Sequence, residues 1–320
     1  MIWITWETQR RNESLSYAIG AKLYKIDYTR FPRIIRYIFS LVKTASVLLT
    51  EKPDVVIVQN PSIVLALFAV SVKLTKVFVF KLIVDSHNVG VYPFEEKKPF
   101  FNKIRDVIVR NADIIIVTNG ELANFIRSIG GTPVVVEDPL PRLASDVTTK
   151  ELKGKYNFLY ICSYAADEPY WELIEAVRHI DNNIYVYMTG HPNFEVSSMA
   201  DDLPRNLIVT GYLTSKEFDE MLFSVDAVID LTNRENCLVC GAYEAVAAEK
   251  PLILSNTKVL KKYFHSGTVF ASNTSCDIVR CIKLLVGDMH RYRDEVVKLK
   301  EMLLLDWEGR KEELLAMLKQ

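Results

Sequence analysis

The sequence predicts an α/β protein of two doubly wound, Rossmann-like domains that face each other across a cleft. Three observations carry this. Short aliphatic and β-branched runs recur, and each is followed by a longer segment of helical pattern. The runs fall into two sets of six, and the stretch between the sets is rich in proline and polar residues and lacks periodicity. Near-continuous apolar strands that alternate with helices belong to parallel sheets covered on both faces. A chain of 320 residues also suits two domains of about 150 residues each.

In the first half the strand runs are MIWITW (1–6), LYKID (23–27), DVVIV (54–58), FKLIVD (80–85), DIIIV (113–117) and PVVVE (133–137). In the second they are NFLYIC (157–162), IYVYM (184–188), NLIVTG (206–211), DAVID (226–230), PLILS (251–255) and TVFA (268–271). The seam is EDPLPRLASDVTTKELKGKY (137–156), which places the domains at 1–148 and 149–303. The tail from Asp288 reads as helix, with apolar residues at Leu303, Leu304, Leu314, Leu315 and Leu318. Each sheet is expected to bind its ligand at the carboxyl ends of its strands. Two such domains suit a reaction that brings together two separately bound molecules.

Apolar residues make up 49% and charged residues 25%, the balance of a folded soluble chain rather than a disordered one. Net charge is −1, but residues 1–150 hold 20 Lys+Arg against 14 Asp+Glu, and the remainder holds 19 against 26. Much of the basic excess lies in Lys22, Lys25, Arg30, Arg33, Arg36 and Lys43, opposed there only by Asp27. Such a stripe fits either phosphates and an anionic bilayer or a solvated helix face. The five cysteines include one C-x-x-C (Cys237, Cys240) with no second pair to complete a zinc site, and they read as reduced thiols. MIWITWETQRR turns charged too soon for a signal peptide. Lysines interrupt the most apolar stretch, Pro61 to Val84, which reads as a buried helix and then a buried strand. The expected location is cytoplasmic, with peripheral contact at the inner face of a membrane.

NRENCLVCGAYEAVAAEKPLILS (233–255) leads from a strand through a polar loop into a helix of small residues. The amino end of that helix is an expected anion site, suited to a pyrophosphate. Gly241, Ala245 and Ala248 share a face that permits close approach to the sheet. Glu244 lies beside that face with its side chain tilted toward the helix amino end. A carboxylate there can accept hydrogen bonds from the vicinal hydroxyls of a ribose, or, in the plainer reading, point to water.

YEAVAAEKPLILS resembles the second half of the E-x7-E signature of GT-B fold glycosyltransferases, in particular the large retaining family that uses nucleotide-sugar donors. The resemblance extends over the whole chain. It implies a donor domain at 149–303, an acceptor domain at 1–148, and a final helix (about 304–320) that packs back on the first domain. Glu244 falls on the ribose-binding glutamate. The position eight before it is Asn236, and Glu235 stands one residue early, so either could serve beside the donor sugar. TGHP (189–192) and GYLTSKEFDEML (211–222) also match, the latter starting a helix with the cap-like pattern Ser215-x-x-Phe218. Donor contacts are thereby implied for Arg234, Cys240, Gly241, Leu213, Thr214 and Gly190. In LIVDSHNVG (82–90) the resemblance gives His87 a catalytic place near the donor sugar. DSHN is similar to inverting mannosyltransferases as well, which leaves the stereochemistry open. The loop SYAADEPYWELIEA (163–176) departs from the family by offering Asp167 and Glu168 where Arg and Lys usually hold the pyrophosphate.

TWETQRRNESLSYAIG (5–20) presents Glu7, Arg10 and Arg11 after the first strand, where paired arginines could hold an acceptor pyrophosphate. With the basic, partly apolar TRFPRIIRYIFSLVK (29–43), this suggests a lipid-linked acceptor at an anionic membrane, against ordinary amphipathic packing of a second helix. The expected function is hexosyl transfer from a nucleotide-sugar co-substrate to a glycan or lipid-linked acceptor. Neither a metal, nor a further cofactor, nor a nucleic-acid partner is expected. The rival readings are a nucleotide-sugar epimerase or hydrolase on the same fold, and a catalytically weak subunit that acts through a partner.

Overall fold

The computed structural model describes residues 1–7, 9–60, 62–144, 146–198 and 202–319, with the side chains of Arg10, Glu95, Glu96 and Lys319 outside that description. The chain divides into two compact units, 1–139 with 306–320, and 140–305. The division falls earlier than residue 148 because Leu140, Leu143 and Leu152 already pack against the second unit's core.

The first unit begins β1 (Ile2–Thr5), α1 (Arg10–Ala18), β2 (Lys22–Lys25), α2 (Arg33–Glu51), β3 (Val55–Gln59) and α3 (Ile63–Leu74). It continues with β4 (Lys81–Asp85), α4 (Asn88–Val91), α5 (Pro99–Asn111), β5 (Ile114–Val117), α6 (Gly120–Ser128) and β6 (Pro133–Val135). Its six strands are parallel in the order β2-β1-β3-β4-β5-β6. Alternation along each strand feeds two cores. Ile2, Ile4, Val56 and Val58 meet residues of α2, α3, α5 and α6. Trp3, Ile57 and Ile83 meet α1 through Leu15 and Ile19.

The second unit contains β7 (Tyr156–Tyr160), α7 (Tyr170–Val177), β8 (Ile184–Thr189), α8 (Phe194–Ser198), β9 (Leu207–Gly211) and α9 (Ser215–Ser224). Then come β10 (Ala227–Asp230), α10 (Cys240–Ala247), β11 (Leu252–Ser255), α11 (Lys258–Tyr263), β12 (Thr268–Ala271), α12 (Ser275–Gly287) and α13 (Met289–Lys319). The sheet order is β12-β11-β10-β7-β8-β9, again all parallel. Helix α13 contributes Leu299 and Leu303 to the second unit's core and Leu314 and Leu318 to the first.

Strand β8 hands over to its loop at Gly190, whose φ is +91°. A Cβ there would stand 2.2 Å from the Cys162 carbonyl oxygen, so both the backbone angle and the space require glycine. Gly190→Ala is expected to destabilise the second unit by about 1–3 kcal/mol, read as a lower urea midpoint with an unchanged slope. An unchanged midpoint would remove this constraint.

Candidate functional site

A doubly wound sheet opens a crevice where its strand order reverses. In the second unit that point lies between β7 and β10, and the loops that follow these strands, 161–169 and 231–239, frame it. Asp230 is the last residue of β10 and is buried. Its carboxylate accepts the backbone N–H groups of Gly241 and Ala242 at the start of α10. The expected pyrophosphate position at this helix end is therefore occupied by a carboxyl group of the chain itself. This also explains Gly241, since a Cβ there would lie 2.5 Å from Asp230 Oδ2 and 2.5 Å from Ile161 Cδ1. Gly241 makes room for Asp230 and the strand, not for a ligand.

Glu168 and Glu244 surround this group. Burial first, then the charges of Glu168 and Glu244, push the Asp230 carboxyl well above the usual range, against the pull of the two amides. Glu168 is held by its own loop, accepting from Ser163 N at 2.9 Å, Ser163 Oγ at 2.9 Å and Ala165 N at 3.0 Å. Glu244 is half-buried on α10. Tyr160 and Cys162 lie beside the same acids. Burial and that negative surrounding raise both, so neither ionises near neutral pH.

Asp167 joins the two framing loops. Its Oδ2 accepts from Thr232 Oγ1 at 2.9 Å, its Oδ1 lies 3.1 Å from Arg234, and its carbonyl accepts from Asn233 N at 2.7 Å. The stitching continues from Thr232 N to Ser255 Oγ at 2.8 Å, and from Ser255 Oγ to Asn273 Oδ1 at 2.8 Å. Asn273 Nδ2 closes the chain on Thr232 O at 2.9 Å. Arg234 thus spends part of its charge on Asp167. Glu235 and Asn236 form the turn that follows, with Glu235 exposed and Asn236 half-buried. Cys240 is the exposed first residue of α10.

Two strands away, Gly190 and Gly211 both take positive φ, and the residues after them, His191 and Tyr212, stack with ring centroids 5.2 Å apart and planes 9° from parallel. Leu213 packs partly into the core of α9 and α10. Helix α9 is capped by Thr214 with Glu217, a reciprocal capping box one residue ahead of the predicted Ser215-x-x-Phe218 pattern. The glutamate three residues after Thr214 was the legible signal.

In the first unit the reversal lies between β1 and β3. Asn12 fills it, donating to Thr5 Oγ1 at 3.1 Å and to Gln59 Oε1 at 2.8 Å while it accepts from Trp3 Nε1 at 3.2 Å. Glu7 is exposed, with its backbone held by Thr5. The paired-arginine reading needs correction. Arg11 is buried, and its guanidinium donates to Asp85 at 2.9–3.2 Å, to the Val136 carbonyl at 2.9 Å and to Asp138. Its charge is committed inside the fold, not offered to an acceptor. The side chain of Arg10 lies outside the described residues. His87 precedes α4 and brings Nε2 to 3.4 Å from Asp85 Oδ2.

No protein-family model and no curated protein sequence matches the chain. Solved structures do. HepE of Anabaena, in complex with UDP and glucose, is 8% identical, aligns over 100% of this chain and 99% of its own, and gives a TM-score of 0.74. Sucrose-phosphate synthase of Thermosynechococcus elongatus is 13% identical, with 94% and 83% covered and a TM-score of 0.73. A Listeria monocytogenes protein described as a UDP-N-acetylglucosamine 2-epimerase is 13% identical, with 98% and 97% covered and a TM-score of 0.64. At these identities the likeness concerns the fold, and the fold of this chain is GT-B.

Proposed function

We propose that the chain is a glycosyltransferase that moves a hexosyl group from a nucleotide-diphosphate sugar to a glycan or lipid-linked acceptor in polysaccharide or glycoconjugate biosynthesis. The observation that carries this is Glu244, half-buried on α10 at the strand reversal of the second sheet, within the electrostatic reach of Asp230. Its carboxylate is suited to take the ribose hydroxyls of a donor. The fold likeness to HepE, a protein solved with UDP-glucose, supports the same reading. The stacked His191 and Tyr212, with Leu213 beside them, offer a flat and apolar rest for a base at the same sheet end. Arg234 and Lys258, with Cys240 at the start of α10, are the groups assigned to the diphosphate. His87, with Asn236 or Glu235, is assigned to the transferred sugar. Transfer with retention and without a divalent ion is proposed from the motif resemblance, and Glu7 and Arg10 remain assigned to the acceptor, which sits at a membrane surface.

One observation favours a second reading. Asp230 on the amides of Gly241 and Ala242 places a carboxyl where a diphosphate would gain most from α10. A subunit that binds nucleotide weakly and acts through a partner accommodates that arrangement. The two readings part in a thermal-shift series with UDP, GDP, CMP and dTDP, with and without a divalent ion. One nucleotide is expected to stabilise the protein in the absence of metal. Glu244→Ala is expected to weaken that nucleotide by roughly ten- to hundredfold with the fold intact. No response to any nucleotide supports the second reading, and a response that Glu244→Ala leaves unchanged removes Glu244 from the donor site.

A further inference from the structure

The geometry points to the outer face of α2 as a docking surface for an anionic lipid bilayer. The helix is apolar on both of its sides, and Tyr37 and Leu41 are half-buried against the core of the first sheet. Toward the sheet it buries Ser40 and Thr44 together with Val47 and Leu48, and the Thr44 hydroxyl accepts a hydrogen bond from Trp6 Nε1 at 3.0 Å. Toward solvent it turns Ile34, Ile38 and Val42, which are 76%, 53% and 64% exposed and follow one another at four-residue intervals along one face. Phe31, Ile35 and Phe39 extend the face, and Phe31 and Phe39 meet edge-on with centroids 5.4 Å apart. A contiguous apolar patch of this kind on a water-facing helix marks something that covers it.

The charges say what covers it. From Tyr28 to Thr50 the chain has Arg30, Arg33, Arg36 and Lys43 and no acidic residue. The acid that precedes this stretch, Asp27, is already engaged with Thr29 and lies in the field of Arg30 and Arg36. A second copy seated face to face would bring these cations against their own kind. A surface of anionic headgroups over acyl chains matches both the apolar face and its basic rim. The helix lies on such a surface and does not cross it, since no described helix is long and apolar enough to span a membrane. Trp6, which follows β1, contacts Tyr37 of α2 with centroids 6.1 Å apart, so the apolar turns lie at the carboxyl end of the first sheet. That is the end assigned to the acceptor, and this last link rests on the proposed glycosyltransferase reading.

Flotation of the purified chain with vesicles tests the surface. Vesicles of phosphatidylcholine with phosphatidylglycerol are expected to carry the protein upward, vesicles of phosphatidylcholine alone much less, and added salt is expected to weaken the binding. Ile34→Glu with Ile38→Glu is expected to reduce recovery at least tenfold while leaving the urea midpoint unchanged, because both positions face water. Equal recovery on both vesicle types, or full recovery of the double variant, overturns the proposal. So does a double variant that turns a dimer into a monomer in sedimentation where the parent ignores vesicles, for the face is then a contact between copies. Nucleotide response is read separately on the same preparations. Nucleotide binding without flotation defeats this surface alone, and flotation without any nucleotide response defeats the enzymatic reading while the surface stands.

Discussion

Arg11→Ala is expected to cost about 3–5 kcal/mol of stability. The guanidinium is the shared partner of two carboxylates. Asp85 is 1% exposed, and Asp138 is also drawn into the pair. Burial alone pushes the Asp85 carboxyl up, but the charge and hydrogen bonds of Arg11, with His87, outweigh it and hold the group well below the usual carboxylate range. A depressed value stabilises the fold above the ordinary carboxylate pKa, and that contribution is lost only as the pH falls through the folded value. The wild type should therefore keep this contribution down to strongly acid pH. Without Arg11 the burial that raises the Asp85 carboxyl is opposed by His87 alone of the two groups, and the carboxyl shifts toward its protonated form. The variant's deficit should be largest at neutral pH and shrink as the pH approaches about 4. Urea midpoints across pH measure this. A deficit under 1 kcal/mol at neutral pH, combined with impaired acceptor use, would return Arg11 to the role the sequence suggested.

Asp230→Asn is expected to make the protein more stable, by an amount that grows with pH. The amide is nearly isosteric and its oxygen can still accept from Gly241 and Ala242. The carboxyl's folded pKa lies well above its unfolded value, from burial first and then Glu168 and Glu244. Such a group stabilises the folded state fully below its unfolded pKa, and the benefit drains away as the pH rises toward the folded one. The decline is at most about 1.4 kcal/mol per pH unit for one proton. The asparagine variant lacks that slope, so the two proteins should converge near pH 4 and diverge above it. Parallel stability curves would mean that Asp230 is ionised throughout, with the helix amides prevailing over its burial.

The fold was legible because its strands are buried on both faces. Runs such as DVVIV and DIIIV have no polar face to obscure them, and they mark β3 and β5 to within a residue. PVVVE reaches only Val135 as strand, because β6 is an edge with a single neighbour. The sites were less legible because their partners are distant in sequence. Arg11 meets residues 74 and 127 positions away, and nothing local separates a buried arginine from one that waits for a phosphate. Asp230 read as the end of DAVID, and its second role appears only once α10 folds back over it. The isoleucines of α2 have the composition of a core face. Their exposure in the folded chain, with Ser40, Thr44, Val47 and Leu48 buried on the other side, shows that they are not one.

The path of α13 sets an order in time. Ribosomes release residues from the amino end, so every strand of the first sheet emerges before any strand of the second. One side of that sheet nevertheless waits for Leu314 and Leu318, which are translated after the entire second unit. At about 5–20 residues per second the delay is on the order of ten to forty seconds. During it, Trp3, Ile57 and Ile83 have α1 for cover but not their last neighbours, and are surfaces for a chaperone to hold. The second unit needs nothing beyond Leu303 for its own core. The unit begun first is completed last, and its nascent form is the one exposed to aggregation.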